Sequence, residues 1–104
     1  MDKLAMLSQI LQQNPTDSFA RYGLAMELVS QKRILEALAE FDTCIQHNPD
    51  YVPAYQMSAQ TMAANAQPEA AIERLHQGIA TANRTGNQHA LAEMEALRED
   101  LTTR

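Results

Sequence analysis

The side chains best suited to catalysis or metal ligation are three histidines, His47, His76 and His89, and a single cysteine, Cys44. A metal centre needs several such donors converging at fixed spacing. His47 has only Asp42 and Gln46 close by, a mixed and solvated set, and His76 has no ligand type four positions away. His89 has Glu93 four residues on, the spacing of a weak surface pair on an exposed helix. Cys44 would act as a nucleophile only if a nearby cation lowered its pKa, and no Lys or His is placed to do so. Its position fits a small core residue. Glycine-rich phosphate loops, a serine in a strained strand-to-helix elbow and paired carboxylates at a strand end are all missing from the sequence. No catalytic residue, no metal and no cofactor are therefore expected, and an enzyme is not.

The chain is rich in Ala, Leu, Gln and Glu and has only 3 Gly and no Trp, which favours helix. Apolar residues recur at 24, 25 and 28, and again at 34, 37, 38, 41, 44 and 45, the spacing of one helical face. Asp2 is placed to cap a first helix with Leu4, Leu7, Ile10 and Leu11 on one face. Thr16 or Asp17 caps a second that runs to about Ser30, and Gln31-Lys32-Arg33 turns into a third, Ile34 to His47. Asp50 caps a fourth, and Pro68 suits the first turn of a fifth that ends near Ala82. Arg84-Thr85-Gly86-Asn87 breaks the chain before a last helix whose inner face is Ala90, Leu91, Met94, Leu97 and Leu101. Glu93, Glu95, Glu99 and Asp100 make its other face charged, as a terminal cap of a stack requires.

The dipeptide Asn14-Pro15 recurs as Asn48-Pro49, and aligning the two prolines aligns residue sizes as well. Leu24-Ala25 falls on Ser58-Ala59, Leu28 on Met62, Ala37-Leu38 on Ala71-Ile72, Phe41 on Leu75 and Cys44 on Gly78. A period of this length is typical of helix-pair solenoids. The residues Leu24, Ala25, Leu28, Ala37, Phe41, Cys44 and Pro49, with Tyr55, Ala59, Met62, Ala71, Leu75 and Gly78 in the second copy, resemble the tetratricopeptide repeat. The departures are Arg21 and Ser58, which stand where large residues are usual, Lys32 at a turn position that is often Gly, and Asn83 in place of the closing Pro. The resemblance implies an all-α, right-handed α-α superhelix of about six antiparallel helices. It divides one domain, 1–104, into an N-terminal half-repeat helix (1–14), repeat 1 (15–48), repeat 2 (49–83) and a C-terminal capping helix (84–104).

The resemblance also implies a function of holding protein segments along the first helix of each repeat. The groove-facing residues expected there are Phe19, Tyr22, Met26, Val29 and Ser30 in repeat 1, and Pro53, Gln56, Gln60, Ala63 and Ala64 in repeat 2. The first set is apolar, and a monomer rarely exposes such a patch without use. An adaptor that binds an apolar or aromatic protein segment beside Phe19, Tyr22, Met26 and Val29, with Gln56 and Gln60 offering amides, is the leading expectation. A self-associating subunit, a homodimer through the same patch, is the alternative; the first helix lying across Phe19 and Tyr22 is a third. The carboxylate clamp with which some members of the family hold chaperone tails is absent, since its Lys and Asn positions correspond to Tyr22, Met26 and Met57.

Composition bounds the partners further. The net charge is −5, with no basic stripe for phosphates, so no nucleic acid is expected. No apolar run approaches the ~20 residues of a membrane span, and Met1 to Asn14 has no signal-peptide pattern, so no membrane association is expected. A lone cysteine permits no internal disulfide and is compatible with a reducing, cytoplasmic setting.

Overall fold

A computed structural model describes residues 2–104; Met1, the first residue of the expected half-repeat, lies outside the described residues. These contain six α-helices and no strand: α1 (Lys3–Gln13), α2 (Ser18–Ser30), α3 (Ile34–His47), α4 (Val52–Ala64), α5 (Pro68–Thr85) and α6 (Gln88–Thr102). The architecture is an all-α helical repeat. The chain divides into two compact units, one running through Tyr51 and holding α1–α3, the other Val52–Arg104 and holding α4–α6.

Side-chain caps start α1, α2 and α6. The carboxylate of Asp2 accepts from the Ala5 N–H at 2.8 Å, Asp17 from Ala20 at 3.0 Å, and the Asn87 amide oxygen from Ala90 at 3.1 Å. Asp50 does not directly precede a helix: α4 begins at Val52, and Tyr51 stands between. The fifth helix runs to Thr85 rather than ending near Ala82. Gly86, at φ 77°, supplies the stop: its N–H donates to the Asn83 carbonyl (3.3 Å), and that of Asn87 to Ala82 (2.9 Å). The same closure ends α2, where Lys32 takes φ 64° and the N–H groups of Lys32 and Arg33 donate to Val29 and Leu28. Ala66, 34 positions after Lys32, takes φ 62° in the second copy.

In the first unit the core is Leu11, Ala20, Ala25, Leu28, Ala37, Phe41 and Cys44. Ala25, Ala37, Phe41 and Cys44 have no exposed surface, so small residues sit where α2 and α3 come together and Phe41 fills the room they leave. In α1 only Leu11 is buried; Ile10, expected on the apolar face of this helix, is 41% exposed. In the second unit Ala54, Ala59, Ala71, Leu75, Ala82 and Met94 are fully buried. α4, α5 and α6 converge at Gly78, where an added Cβ would lie 2.7 Å from the Met94 sulfur and 2.8 Å from Tyr55 Cβ.

Candidate functional site

A cleft of about 520 Å³ opens between α1 and α2 in the first unit. Lys3, Met6 and Leu7 line it from α1, and Phe19, Tyr22, Gly23, Met26, Glu27 and Ser30 from α2. Residues 19, 22, 23, 26, 27 and 30 follow the i, i+3, i+4 rule, so helical geometry alone brings them to one face. Phe19 is 78% exposed, and Met6, across the cleft, 48%. The first helix therefore does not cover Phe19: it lies alongside α2, with Leu7 against Gly23. One ion pair stands at the rim, Lys3 Nζ to Glu27 Oε1 at 3.7 Å, and the Gln31 amide donates to the other Glu27 oxygen at 3.1 Å.

Of the residues expected to contact a ligand, the structure brings Phe19, Tyr22 and Met26 together in this cleft. Val29 is half-buried and does not line it. Gln56 and Gln60 belong to α4 in the other unit; Gln56 donates to Glu93 Oε1 at 3.1 Å, and Gln60 is exposed. Tyr22 has a second role that was not expected. Its ring stands 6.1 Å from Phe41 and 5.7 Å from Tyr51, tilted by 59° and 57°, a favourable aromatic geometry. Burial raises the pKa of Tyr22, and the neighbouring Cys44 adds to the shift. Tyr51 is raised for the same first reason, with Cys44, Tyr22 and Asp17 contributing. Half-buried Tyr22 thus lines the cleft and touches the core residue Phe41 at once.

Cys44, His47, His76 and His89 do not line this cleft. Cys44 is fully buried, and its thiol donates to the Ser18 carbonyl at 3.6 Å. Burial pushes its pKa up, and Arg21 offsets only part of that shift, so it is a poor nucleophile. His89 Nε2 lies 3.3 Å from Glu93 Oε1 on an exposed helix surface. Among the described residues no group of His, Cys, Asp and Glu is arranged to hold a metal, and no helix is long and apolar enough to cross a membrane.

Sequence reasoning missed Met6, Leu7 and Gly23 as cleft residues and Tyr51 as the third ring. A glycine inside an otherwise strong helix was the available signal, since it commonly marks a close approach. Nothing local marks Tyr51, because its ring meets Tyr22 only after the whole of α3 has intervened.

Comparison with known proteins gives one consistent result. The family model described as tetratricopeptide repeat matches residues 28–94. A tetratricopeptide repeat domain protein from Salinibacter ruber is 31% identical and superposes with a TM-score of 0.79, over 85% of this chain and 89% of that one. The TPR2B domain of yeast Sti1, solved in a pHsp70 complex, gives a TM-score of 0.88 at 20% identity, over 96% of this chain and 80% of that one. PcrH, solved with the chaperone binding region of PopD, gives 0.90 at 15% identity, over 97% and 77%. A comparison with curated protein sequences finds no match. The family model spans more than half of the sequence, and the solved structures it resembles share the all-α helical-repeat fold: this chain belongs to the tetratricopeptide repeat family.

Proposed function

We propose that this chain is a non-catalytic adaptor that holds an apolar or aromatic protein segment in the α1–α2 cleft, against Phe19, Tyr22 and Met26. The exposure of Phe19 carries the reading: a phenylalanine 78% in water beside Met6 and Met26 gains most from a ligand that covers it. The volume suits one or two large side chains of a bound segment. Tyr22 offers a broad, rigid face, and the two methionines adapt to the shape of what binds. Two neighbours in fold, the Sti1 domain and PcrH, were solved with protein ligands, which supports such a role for a helical repeat of this kind. Tyr22, Met26 and Met57 provide no charged clamp, so the ligand is recognised by apolar surface rather than by a terminal carboxylate.

The test is selection from a random peptide display library, followed by titration of the enriched peptides. Enriched sequences should carry a Phe, Trp or Leu anchor and lose about tenfold or more in affinity for Met26→Glu. Equal affinity for a folded Met26→Glu variant would remove the cleft from consideration. Tyr22→Glu is unsuitable here, because the tilted ring contacts of Tyr22 with Phe41 and Tyr51 couple it to folding.

A further inference from the structure

Among the described residues that line the α1–α2 cleft, Lys3 and Glu27 carry charge, and the two are not equivalent. The Glu27 side chain is 21% exposed, that of Lys3 65%. Gln31 holds one Glu27 oxygen, Oε2, at 3.1 Å. The other, Oε1, faces Lys3 Nζ at 3.7 Å, an ion-pair separation too long for a hydrogen bond, and it accepts no protein hydrogen bond among the described residues. A carboxylate largely withdrawn from water gains from a closer charged donor. A lysine that keeps most of its hydration gains little from an anion.

The helix that carries Glu27 adds to its field. Glu27 stands in the last turn of α2, where the free carbonyl ends make the terminus negative and a basic residue would be stabilising; that turn has none. Lys32, past the helix end, is exposed and lines no part of the cleft, and Arg33 is engaged with Glu36 through hydrogen bonds of 2.9 and 2.7 Å. A local preference is thus broken at a residue that lines the cleft, which is the pattern of a binding position. With a net charge of −5 on the chain, this end of the cleft attracts cations.

We propose that the segment held in the cleft carries a basic side chain beside its apolar anchor, and that Glu27 recognises it. The inference rests on the cleft being the ligand site, as proposed above. The anchor lies against Phe19, Tyr22 and Met26, the incoming cation donates to Glu27 Oε1, and Lys3 swings into solvent, its loose ion pair being the contact exchanged. Tyr22 and Gly23 precede Glu27 by about 6–8 Å along the axis of α2. Residues two apart in an extended segment, or three or four apart in a helical one, span that distance on one face. The base therefore stands two to four positions from the anchor.

Peptides enriched from a display library on the full chain, titrated against wild type, Glu27→Gln, Lys3→Gln and Phe19→Ala, test this. Gln at 27 keeps the size and an acceptor for Gln31, so the helical circular dichroism should be unchanged. The enriched peptides should share Lys or Arg at the stated spacing and bind Glu27→Gln about tenfold more weakly than wild type. They should bind Lys3→Gln more tightly, because a competing cation is gone. Added salt should weaken their binding to wild type and leave Glu27→Gln nearly indifferent. A peptide with its base replaced by Gln should bind wild type and Glu27→Gln alike. Peptides that need Phe19 yet bind wild type and Glu27→Gln equally overturn this proposal and leave the cleft standing. Acidic peptides that bind Lys3→Gln more weakly overturn it as well, and assign recognition to Lys3. Peptides indifferent to Phe19→Ala overturn the cleft and this inference together.

Discussion

Gly23 and Gly78 both lie inside helices, and the same substitution should act on them with opposite sign. Gly→Ala in a helix interior gains ~1 kcal/mol of propensity when nothing else changes. At Gly23 an added Cβ would meet Leu7 methyls at 3.5 and 3.7 Å, ordinary contact distances, so Gly23→Ala should keep most of that gain. At Gly78 the added Cβ would lie 2.7 Å from Met94 Sδ and 2.8 Å from Tyr55 Cβ. The Met94 side chain can turn, but Tyr55 Cβ is fixed to the α4 backbone, so α4 and α5 must separate by a sizeable part of an ångström. Overpacking of this kind costs ~1–3 kcal/mol, and a clash with a backbone-fixed atom belongs in the upper half of that range. Subtracting the propensity gain leaves Gly78→Ala destabilised by ~1–2 kcal/mol. Thermal and urea melts followed by helical circular dichroism measure both, at roughly 4–8 °C in Tm for each kcal/mol. Two shifts of the same sign, whether both up or both down, would refute the helix spacing on which this reasoning rests.

Three further outcomes are expected. Lys32→Gly and Ala66→Gly should each stabilise by ~0.5–1 kcal/mol, since both residues hold a left-handed φ that costs a side chain ~1–2 kcal/mol and glycine loses part of the difference as chain entropy; a lowered Tm for both would contradict the turn geometry. Glu40→Ala should cost ~1–3 kcal/mol by stranding the half-buried Arg21 guanidinium, while Arg21→Leu combined with Glu40→Leu should recover most of the loss, which a double-mutant cycle measures. The fold raises the pKa of Cys44 above 9.0 and of Tyr22 and Tyr51 above 10.0, so the unfolded chain loses these protons first. The stability they contribute is complete below about pH 9 and is lost as pH rises through the folded values; Tm measured from pH 7 upward should fall in that window, less steeply at its onset in Cys44→Ala.

The fold was legible because residue size repeats with the period. Ala25 and Ala59, Ala37 and Ala71, and Cys44 and Gly78 are all buried where the register places small residues. The end of the fifth helix was not legible, because Arg84-Thr85 reads as a polar break. The actual stop is the left-handed Gly86, and the Thr85 hydroxyl meanwhile bonds back to the Thr81 carbonyl at 2.8 Å. Ile10 was misread because helical periodicity places it on the apolar face without showing which residues of that face α2 covers. In the site, helical spacing sufficed to group Phe19, Tyr22 and Met26, but the wall supplied by Met6 and Leu7 depends on how α1 lies against α2, and periodicity within one helix carries no such information.

The apparent departures from the repeat pattern explain one another in pairs. Arg21 stands where a large apolar residue is usual, and the structure places Glu40 opposite it: Nη1 donates to Oε1 at 2.6 Å, and Nη2 to the Pro15 carbonyl at 2.8 Å. In the second copy the register positions of Arg21 and Glu40 hold Tyr55 and Arg74. The cation has moved from the first helix to the second, and Arg74 now enters from α5 and donates to the Ser58 hydroxyl at 3.0 Å. Ser58, fully buried, is small and polar because a guanidinium arrives there; a Leu would both block it and leave it without that acceptor. Each copy thus keeps one cation between its helices, in a different place, with a partner supplied from the opposite helix. The Nε of Arg21 is buried with no hydrogen-bond partner, so the first solution is the less complete of the two. What the two copies share is therefore the fit of the helix pair as a whole, and a residue that looks degenerate at one position is interpretable only with the residue facing it.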